Sequence, residues 1–303
     1  MKYYLGLDIG GTKMATTIAD KHFNILKKIV FQTSETITPE KTLEKFYLTI
    51  DKILKDLSID LQDIKSIGIS CGGPLDSKKG IILSPPNLPT WDYVEIVKIL
   101  SKKYSKPVFI QNDANACALV EWKLGAGKNL DNVIFLTFGT GMGAGLILNG
   151  KLYTGKNDMA GEIGHIRLSE EGPIGYNKKG SFEGFCSGGG IVQLAKMRGL
   201  NLNTAQEVLE QAQSGNNLAK SIIDESANYL GLGLSVLIDI LNPEAIIIGS
   251  IYTRCEDLFQ EKVTEVLKQE TLQISFDNCR ILKSELKESL GDLAAIIVAT
   301  GEY

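Results

Sequence analysis

The chain has 303 residues, enough for roughly two domains with cores of their own, and 44% hydrophobic against 22% charged residues is the balance of a folded chain, not of a disordered or collagenous one. Lys and Arg total 32 against 36 Asp and Glu, so the net charge is -4 and the basic surplus that neutralises phosphates in a nucleic-acid binder is missing. The cysteines Cys71, Cys117, Cys186, Cys255 and Cys279 form no Cys-x-x-Cys pair, which argues against a disulfide framework or a cysteine zinc cluster and fits a reducing cytoplasm.

The amino terminus enters a strand at once and offers no secretory core. Tyr3 to Ile9 is apolar and β-prone, Gly10-Gly11 is a turn signal and Met14 to Ala19 resumes a strand, so the chain opens with a hairpin. A helix is predicted over Lys41 to Leu57, a strand over Ile64 to Ser70, an amphipathic helix over Tyr93 to Tyr104 and a strand over Val108 to Gln111. The hairpin grammar then returns: strand Val133 to Phe138, a glycine loop from Gly139 to Gly145, and an answering strand from Leu146. Five glycines between Asn132 and Gly150 make this uncharged stretch two strands and a loop, not a membrane span. Helices follow over Ile191 to Arg198, Thr204 to Gln213 and Leu218 to Leu241, the last stopped by Asn242-Pro243. A buried strand over Glu244 to Gly249 and helices over Cys255 to Leu267 and Gly291 to Thr300 complete the chain. The mixture is that of an α/β fold, with one supersecondary unit used twice and a domain boundary between Asn115 and Gly127.

Glycine at a hairpin tip lets backbone N–H groups approach a ligand, and two such tips suit the phosphates of a nucleotide. Neither loop is a Walker A sequence, and the stretch from Gly139 misses the Gly-x-Gly-x-x-Gly spacing. Asp8 is an acid inside an apolar strand, which needs either an ion pair with Lys13 or a metal to face. Asp113, at the end of a strand and the start of a helix, reads equally as an N-cap or as a carboxylate that takes a proton from a substrate hydroxyl. Glu162 and His165, in a stretch with Asn157, Asp158 and Gly161, suit a polyol-binding surface, and Glu183 between Phe182 and Gly184 is a third acid held toward a ligand. His22 follows Lys21 in a polar turn.

Together these motifs resemble the ROK family of sugar kinases and sugar-responsive repressors. Leu7-Asp8-Ile9-Gly10-Gly11-Thr12-Lys13 is similar to its first phosphate motif and Thr137 to Gly143 to its second. Gly72-Gly73-Pro74, Asn112-Asp113-Ala114-Asn115 and Glu162-Ile163-Gly164-His165 resemble the sugar-side motifs, and Asn242 to Gly249 the adenosine side. The resemblance implies a two-domain actin and hexokinase type of fold, ribonuclease H-like, with a cleft between an N-terminal domain (1–116 plus 290–303) and a C-terminal domain (117–289). It further implies a glucokinase-like enzyme that phosphorylates the 6-hydroxyl of a hexose, with Asp113 as general base. Asp8, Gly10, Gly11, Thr12, Lys13, Gly139, Thr140, Gly141 and Gly249 would serve ATP, with Mg²⁺ held through Asp8 and water. Gly73, Asn87, Asn112, Glu162, His165 and Glu183 would bind the sugar.

A cytoplasmic homodimer that binds neither nucleic acid nor membrane is expected. The alternative is a sugar-responsive regulator or sensor without kinase activity. Repressors of the family carry a helix-turn-helix ahead of the first motif, and seven residues precede Asp8 here. An actin- or chaperone-type ATPase would need neither Asp113 nor the pair Glu162 and His165. Two segments depart from the family pattern. The zinc motif Cys-x-Cys-Gly-x-x-Gly-Cys-x-Glu aligns with Ile174 to Glu183, where Gly180 and Glu183 are kept and Ile174, Tyr176 and Ser181 replace the thiols, so no structural zinc is expected. Ser250 follows Gly249 where a second glycine is common. Glucose, N-acetylated hexosamines, fructose, allose and β-glucosides all stay open as substrates.

Overall fold

The first strand sets the architecture: Leu5, Leu7 and Ile9 of β1 (Tyr3–Ile9) are almost wholly buried on one face, and Tyr4, Gly6 and Asp8 alternate to the other. The structure is a computed structural model and describes residues 2–286 and 289–303. These fall into two compact units, one of Met1–Val120, Thr154–Ala160 and Glu288–Tyr303, the other of Glu121–Tyr153 and Gly161–Lys287.

In the first unit β1 pairs antiparallel with β2 (Lys13–Asp20), which pairs antiparallel with β3 (Ile25–Gln32). On its other side β1 runs parallel to β4 (Ile64–Cys71), and β4 to β7 (Val108–Asn112). Two short strands, β5 (Leu75–Asp76) and β6 (Ile81–Ile82), form a separate ribbon. Helix α1 (Pro39–Leu57) begins at a Thr38 cap with proline at its first position and buries Phe46, Ile50 and Ile53 among Leu5, Leu7 and Ile9. Ile96 and Leu100 of α2 (Ile96–Tyr104) join the same core. Helix α2 starts later than its periodicity predicts, because Tyr93 has a positive φ of 53° and Val94 bridges to Ile82. Helix α3 (Asp113–Leu124) follows β7 directly, and the division between the units falls within it.

In the second unit β8 (Val133–Phe138) pairs antiparallel with β9 (Met142–Leu148), and β9 with β10 (Lys151–Tyr153). The hairpin β11 (Ile174–Gly175) and β12 (Lys178–Lys179) stands apart. The helices are α4 (Phe182–Phe185), α5 (Gly188–Met197), α6 (Ala205–Gln213) and α7 (Asn217–Leu241). Strand β13 (Ala245–Ile248) lies parallel to β8 and is followed by α8 (Ile251–Glu270), α9 (Gln273–Asn278) and β14 (Arg280–Lys283), parallel to β13. The two five-stranded sheets, ordered β3-β2-β1-β4-β7 and β10-β9-β8-β13-β14, therefore share one connectivity.

Local chemistry explains the helix ends. A Thr204–Glu207 capping box opens α6, Asn216 accepts from two backbone N–H groups at the start of α7, and Asn242 at φ 44° closes α7 before Pro243. Gly233 lets α7 lie on the buried Phe182 ring, since a Cβ there would stand 2.2 Å from Phe182 Cζ. Three sequence expectations are corrected. Gly143 and Gly145 are strand residues and not loop, because the register pairs them with Thr137 and Phe135. Residues 25–32, unassigned in the sequence, form β3. Helix α8 starts at Ile251 and is kinked at Cys255, whose backbone (φ -136°, ψ 34°) is not helical. Returning to the first unit, α10 (Leu290–Val298) covers the face of Tyr4 and Gly6. Its approach is so close that a Cβ on Gly68 would lie 2.0 Å from the Ala295 carbonyl oxygen. Among the described residues no helix is long and apolar enough to cross a membrane.

Candidate functional site

In the first unit the parallel strands β1, β4 and β7 end side by side, with Asp8 in register with Ser70 and Cys71 with Asn112. Strand-end side chains in such a sheet stand where ligands commonly bind. Asp8 is half-buried, and burial first, then the charges of Asp113 and Asp292, push its carboxyl from 3.8 up to about 7, with Lys28 and Lys13 opposing. Of the two cations Lys28 acts more strongly on Asp8 than Lys13, and Lys28 itself pairs with Asp292 at the start of α10. Burial, with the charges of Asp113 and Asp8, raises the Cys71 thiol far from its reactive range.

Asp113 is the first residue of α3, and the Ala114 N–H is shared between its Oδ1 (2.8 Å) and Oδ1 of Asn112 (2.9 Å). Asn112 Nδ2 lies 3.1 Å from where a Cβ of Gly73 would be, so Gly73 leaves room for that amide. The first hairpin tip is held by the Thr33 hydroxyl, which donates to the Gly10 carbonyl at 2.7 Å, and by the Thr33 N–H on the Thr12 carbonyl at 3.0 Å. Gly11 packs on Asn87, where a Cβ would come within 2.6 Å of Asn87 Cβ. Gly11, Thr12 and Lys13 are exposed. Asp8, Gly10, Gly11, Asn87, Gly73, Asn112 and Asp113 thus belong to one unit and to neighbouring strand ends and loops.

In the second unit Thr137 occupies the place in β8 that Asp8 has in β1, so only one of the two hairpins carries an acid. Its Oγ1 accepts from Gly143 N–H at 2.9 Å and steadies the tip, as does the Gly188 N–H donating to the Gly139 carbonyl at 2.7 Å. Thr140 is exposed at that tip, and Gly249, at the end of β13, donates to the Leu136 carbonyl at 2.9 Å. Glu183 Oε2 accepts from the Met142 N–H at 2.9 Å and would lie 2.7 Å from a Cβ on Gly141. Gly164 closes the other side, since its Cβ would meet the Met142 carbonyl oxygen at 2.3 Å and Glu183 Cβ at 3.2 Å. Glu183 therefore links the hairpin tip to the turn that carries Glu162 and His165.

Ile174, Tyr176 and Ser181 stand in the segment that resembles the zinc motif. Cys186 is buried, with its Sγ on the Ser226 carbonyl at 3.4 Å. Among the described residues no group of three or more His, Cys, Asp or Glu could hold a metal ion. Lys28, Asp292 and Lys178 were not singled out in the sequence, and Tyr176 was read there only as the replacement for a thiol; the role of each comes from partners elsewhere in the chain.

A sequence model of the ROK family matches residues 4–302. The xylose repressor of Caldicellulosiruptor bescii is 29% identical over 97% of this chain and 77% of its own length. Among solved structures, a ROK hexokinase from Thermus thermophilus has a TM-score of 0.86 at 27% identity and covers 99% of this chain and 98% of its own. A ROK family glucokinase from Streptomyces griseus, in complex with glucose and AMPPNP, has a TM-score of 0.80 at 27% identity with 99% of both chains covered. The α/β architecture is the two-domain actin-like fold of these neighbours.

Proposed function

The chain belongs to the ROK family, and on that premise we propose that it is a cytoplasmic ATP-dependent kinase that transfers the γ-phosphoryl group to the 6-hydroxyl of a hexose. The observation that supports this most is the pair Asp8 and Asp113 at strand ends on either side of β4, close enough for Asp113 to raise the Asp8 carboxyl. In this reading Asp113 accepts the proton of the attacking hydroxyl, and positioning and charge neutralisation carry the transfer through a loose transition state. Backbone groups at Gly10, Gly11, Thr12, Gly139, Thr140, Gly141 and Gly249, with the Lys13 ammonium, would hold ATP. Gly73, Asn87, Asn112, Glu162, His165 and Glu183 would meet the sugar.

A half-buried carboxylate crowded by two more acids fits a divalent cation, which would arrive with the nucleotide. Mg²⁺ supplies charge neutralisation on the phosphates when bound, and Asp8 would face it through water. The solved glucokinase with glucose and AMPPNP supports the choice of ligands. A homodimer belongs to the same proposal.

The likeness to a xylose repressor favours a second reading, a sugar-responsive regulator without kinase activity. A coupled ADP-release assay over glucose, N-acetylated hexosamines, fructose, allose and β-glucosides separates the two. Saturable turnover with one of them is expected. Tight sugar binding without ADP release, together with a footprint on duplex DNA, would overturn the kinase in favour of the regulator.

A further inference from the structure

Glu162 and His165 lie on a short turn at the protein surface, His165 being exposed, and a free side chain there would have to be ordered by its ligand at an entropic cost. The turn itself orders part of the pair. Residues 163–165 form a 3₁₀ turn with Glu162 as its cap, and the His165 N–H donates to the Glu162 carbonyl at 3.2 Å. In such a turn side chains at i and i+3 stack, so the carboxylate and the imidazole leave on the same side.

The hairpin β11–β12 meets both. Tyr176 and Asn177 join its strands, and both have positive φ (51° and 58°), as a two-residue hairpin turn requires. The Tyr176 hydroxyl donates to Glu162 Oε2 at 3.0 Å, and its ring stands edge-on to the His165 ring at 5.1 Å. One strand position further, Lys178 Nζ is 2.9 Å from His165 Nδ1. An ammonium only donates, so Nδ1 accepts and the ring proton of the neutral tautomer sits on Nε2.

The hairpin is anchored in turn. Gln193 of α5 accepts from the Ile174 N–H at 2.9 Å and donates to the Ile174 carbonyl at 3.0 Å. The Ser181 hydroxyl donates to the Gly175 carbonyl at 3.1 Å and accepts from Gly184 N–H at 3.0 Å. Nothing in the phosphoryl-transfer reading requires this arrangement, in which the Tyr176 hydroxyl and the Lys178 ammonium meet Glu162 and His165.

We infer that Tyr176 and Lys178 are positioning residues: the 174–179 hairpin presets the Glu162 carboxylate as an acceptor and His165 Nε2–H as a donor before the ligand arrives. A polyhydroxylated ligand, whose hydroxyls need one partner of each kind, then meets them already oriented. The inference rests on the reading of Glu162 and His165 as sugar-side groups.

The test pairs sugar binding with a spectroscopic readout. With the sugar that the turnover panel identifies, Tyr176→Phe and Lys178→Met should each raise the dissociation constant about tenfold while kcat stays within roughly twofold, the pattern of a lost hydrogen bond to a charged or ring partner. Lys178→Arg keeps a cationic donor and should restore most of the affinity. The chain has only two histidines, so His165 ring nitrogens can be assigned in ¹⁵N spectra by comparison with His22→Gln. Above the titration range of the ring, Lys178→Met should move the His165 Nδ1 signal and leave those of His22 in place, which also shows that the variant is folded. Wild-type affinity in both variants, or an unmoved His165 signal, overturns the inference. If no sugar binds the wild type, the functional reading fails, and the nitrogen spectra still decide whether Lys178 holds the ring.

Discussion

Replacing Asp8 by asparagine should stabilise the protein at neutral and alkaline pH while abolishing the activity proposed for it. Asp8 sits in a strand whose other side chains are apolar, and burial with the charges of Asp113 and Asp292 pushes its carboxyl from 3.8 to about 7. The unfolded chain gives up this proton near its ordinary value, whereas the folded protein keeps it until about 7. Between those limits the folded state binds more protons, so stability falls as pH rises and the loss is complete above the folded value. The interval spans roughly three units of pH, and at 1.36 kcal/mol per unit the ionised carboxylate costs up to about 4 kcal/mol. Asparagine keeps the shape and removes the charge. In urea unfolding without nucleotide, Asp8→Asn should therefore be more stable than the wild type near pH 8 by a sizeable part of that figure, and the gap should close near pH 4. ADP release should fall to background because an amide no longer attracts the cation that accompanies ATP. Equal stability of the two proteins near pH 8, or a gap that does not narrow on acidification, would refute the reasoning.

Asp113→Asn should lower kcat by roughly 10²–10⁴-fold with sugar and ATP affinities nearly unchanged, since a general base acts in the transition state; steady-state kinetics with direct binding measurements read the split. Glu183→Ala strips the acceptor from the Met142 N–H at the second hairpin tip and should cost about 1–3 kcal/mol with a raised KM for ATP, whereas Glu183→Gln retains an acceptor oxygen and most of the affinity. A methyl group at Gly233 would stand 2.2 Å from the Phe182 ring, so Gly233→Ala should lower the thermal midpoint by the roughly 1–3 kcal/mol of an overpacked core. A strong chelator should leave the thermal midpoint and sugar binding unchanged once Mg²⁺ is restored, and elemental analysis should find no stoichiometric zinc; a tightly held zinc at His165 would show that side chains alone do not order the 174–183 loop.

The two hairpins were legible because strand alternation and glycine tips are local signals, and Asp8 and Asp113 stood out as acids where apolar or capping residues are usual. Strand β3 was not, because an edge strand with lysines at 27 and 28 reads like a polar turn. Gly143 and Gly145 misled in the opposite direction: glycine signals a loop locally, but the pairing across β8 decides, and these two face Thr137 and Phe135 in the ladder. The surroundings of Asp8 lay beyond any local signal, since Lys28 and Asp292 are 264 residues apart and only packing of α10 on the sheet brings them together. The tight turn at Tyr176 and Asn177 escaped for want of a glycine, although both residues take the left-handed conformation that glycine favours.

The unit that holds Asp8 and Asp113 is discontinuous, and its sheet is finished on one face only by α10, at the far end of the chain. On a ribosome this has a temporal meaning. Strands β1 to β7 leave the exit tunnel with the surface around Tyr4, Gly6 and Gly68 uncovered, and the residues that cover it, Ile296 and Ala299 among them, are made only after the second unit. At about 5–20 residues per second the intervening stretch, 121–287, takes roughly 10–30 s to synthesise. For that time the nascent chain shows an apolar, glycine-floored face to its surroundings, which makes it a client for chaperones while its second unit, continuous apart from one short excursion, can already fold. A premature stop shortly before α10 would leave that face open for good, turning a small truncation into an aggregation-prone protein while every residue of the proposed active site is still present in the chain.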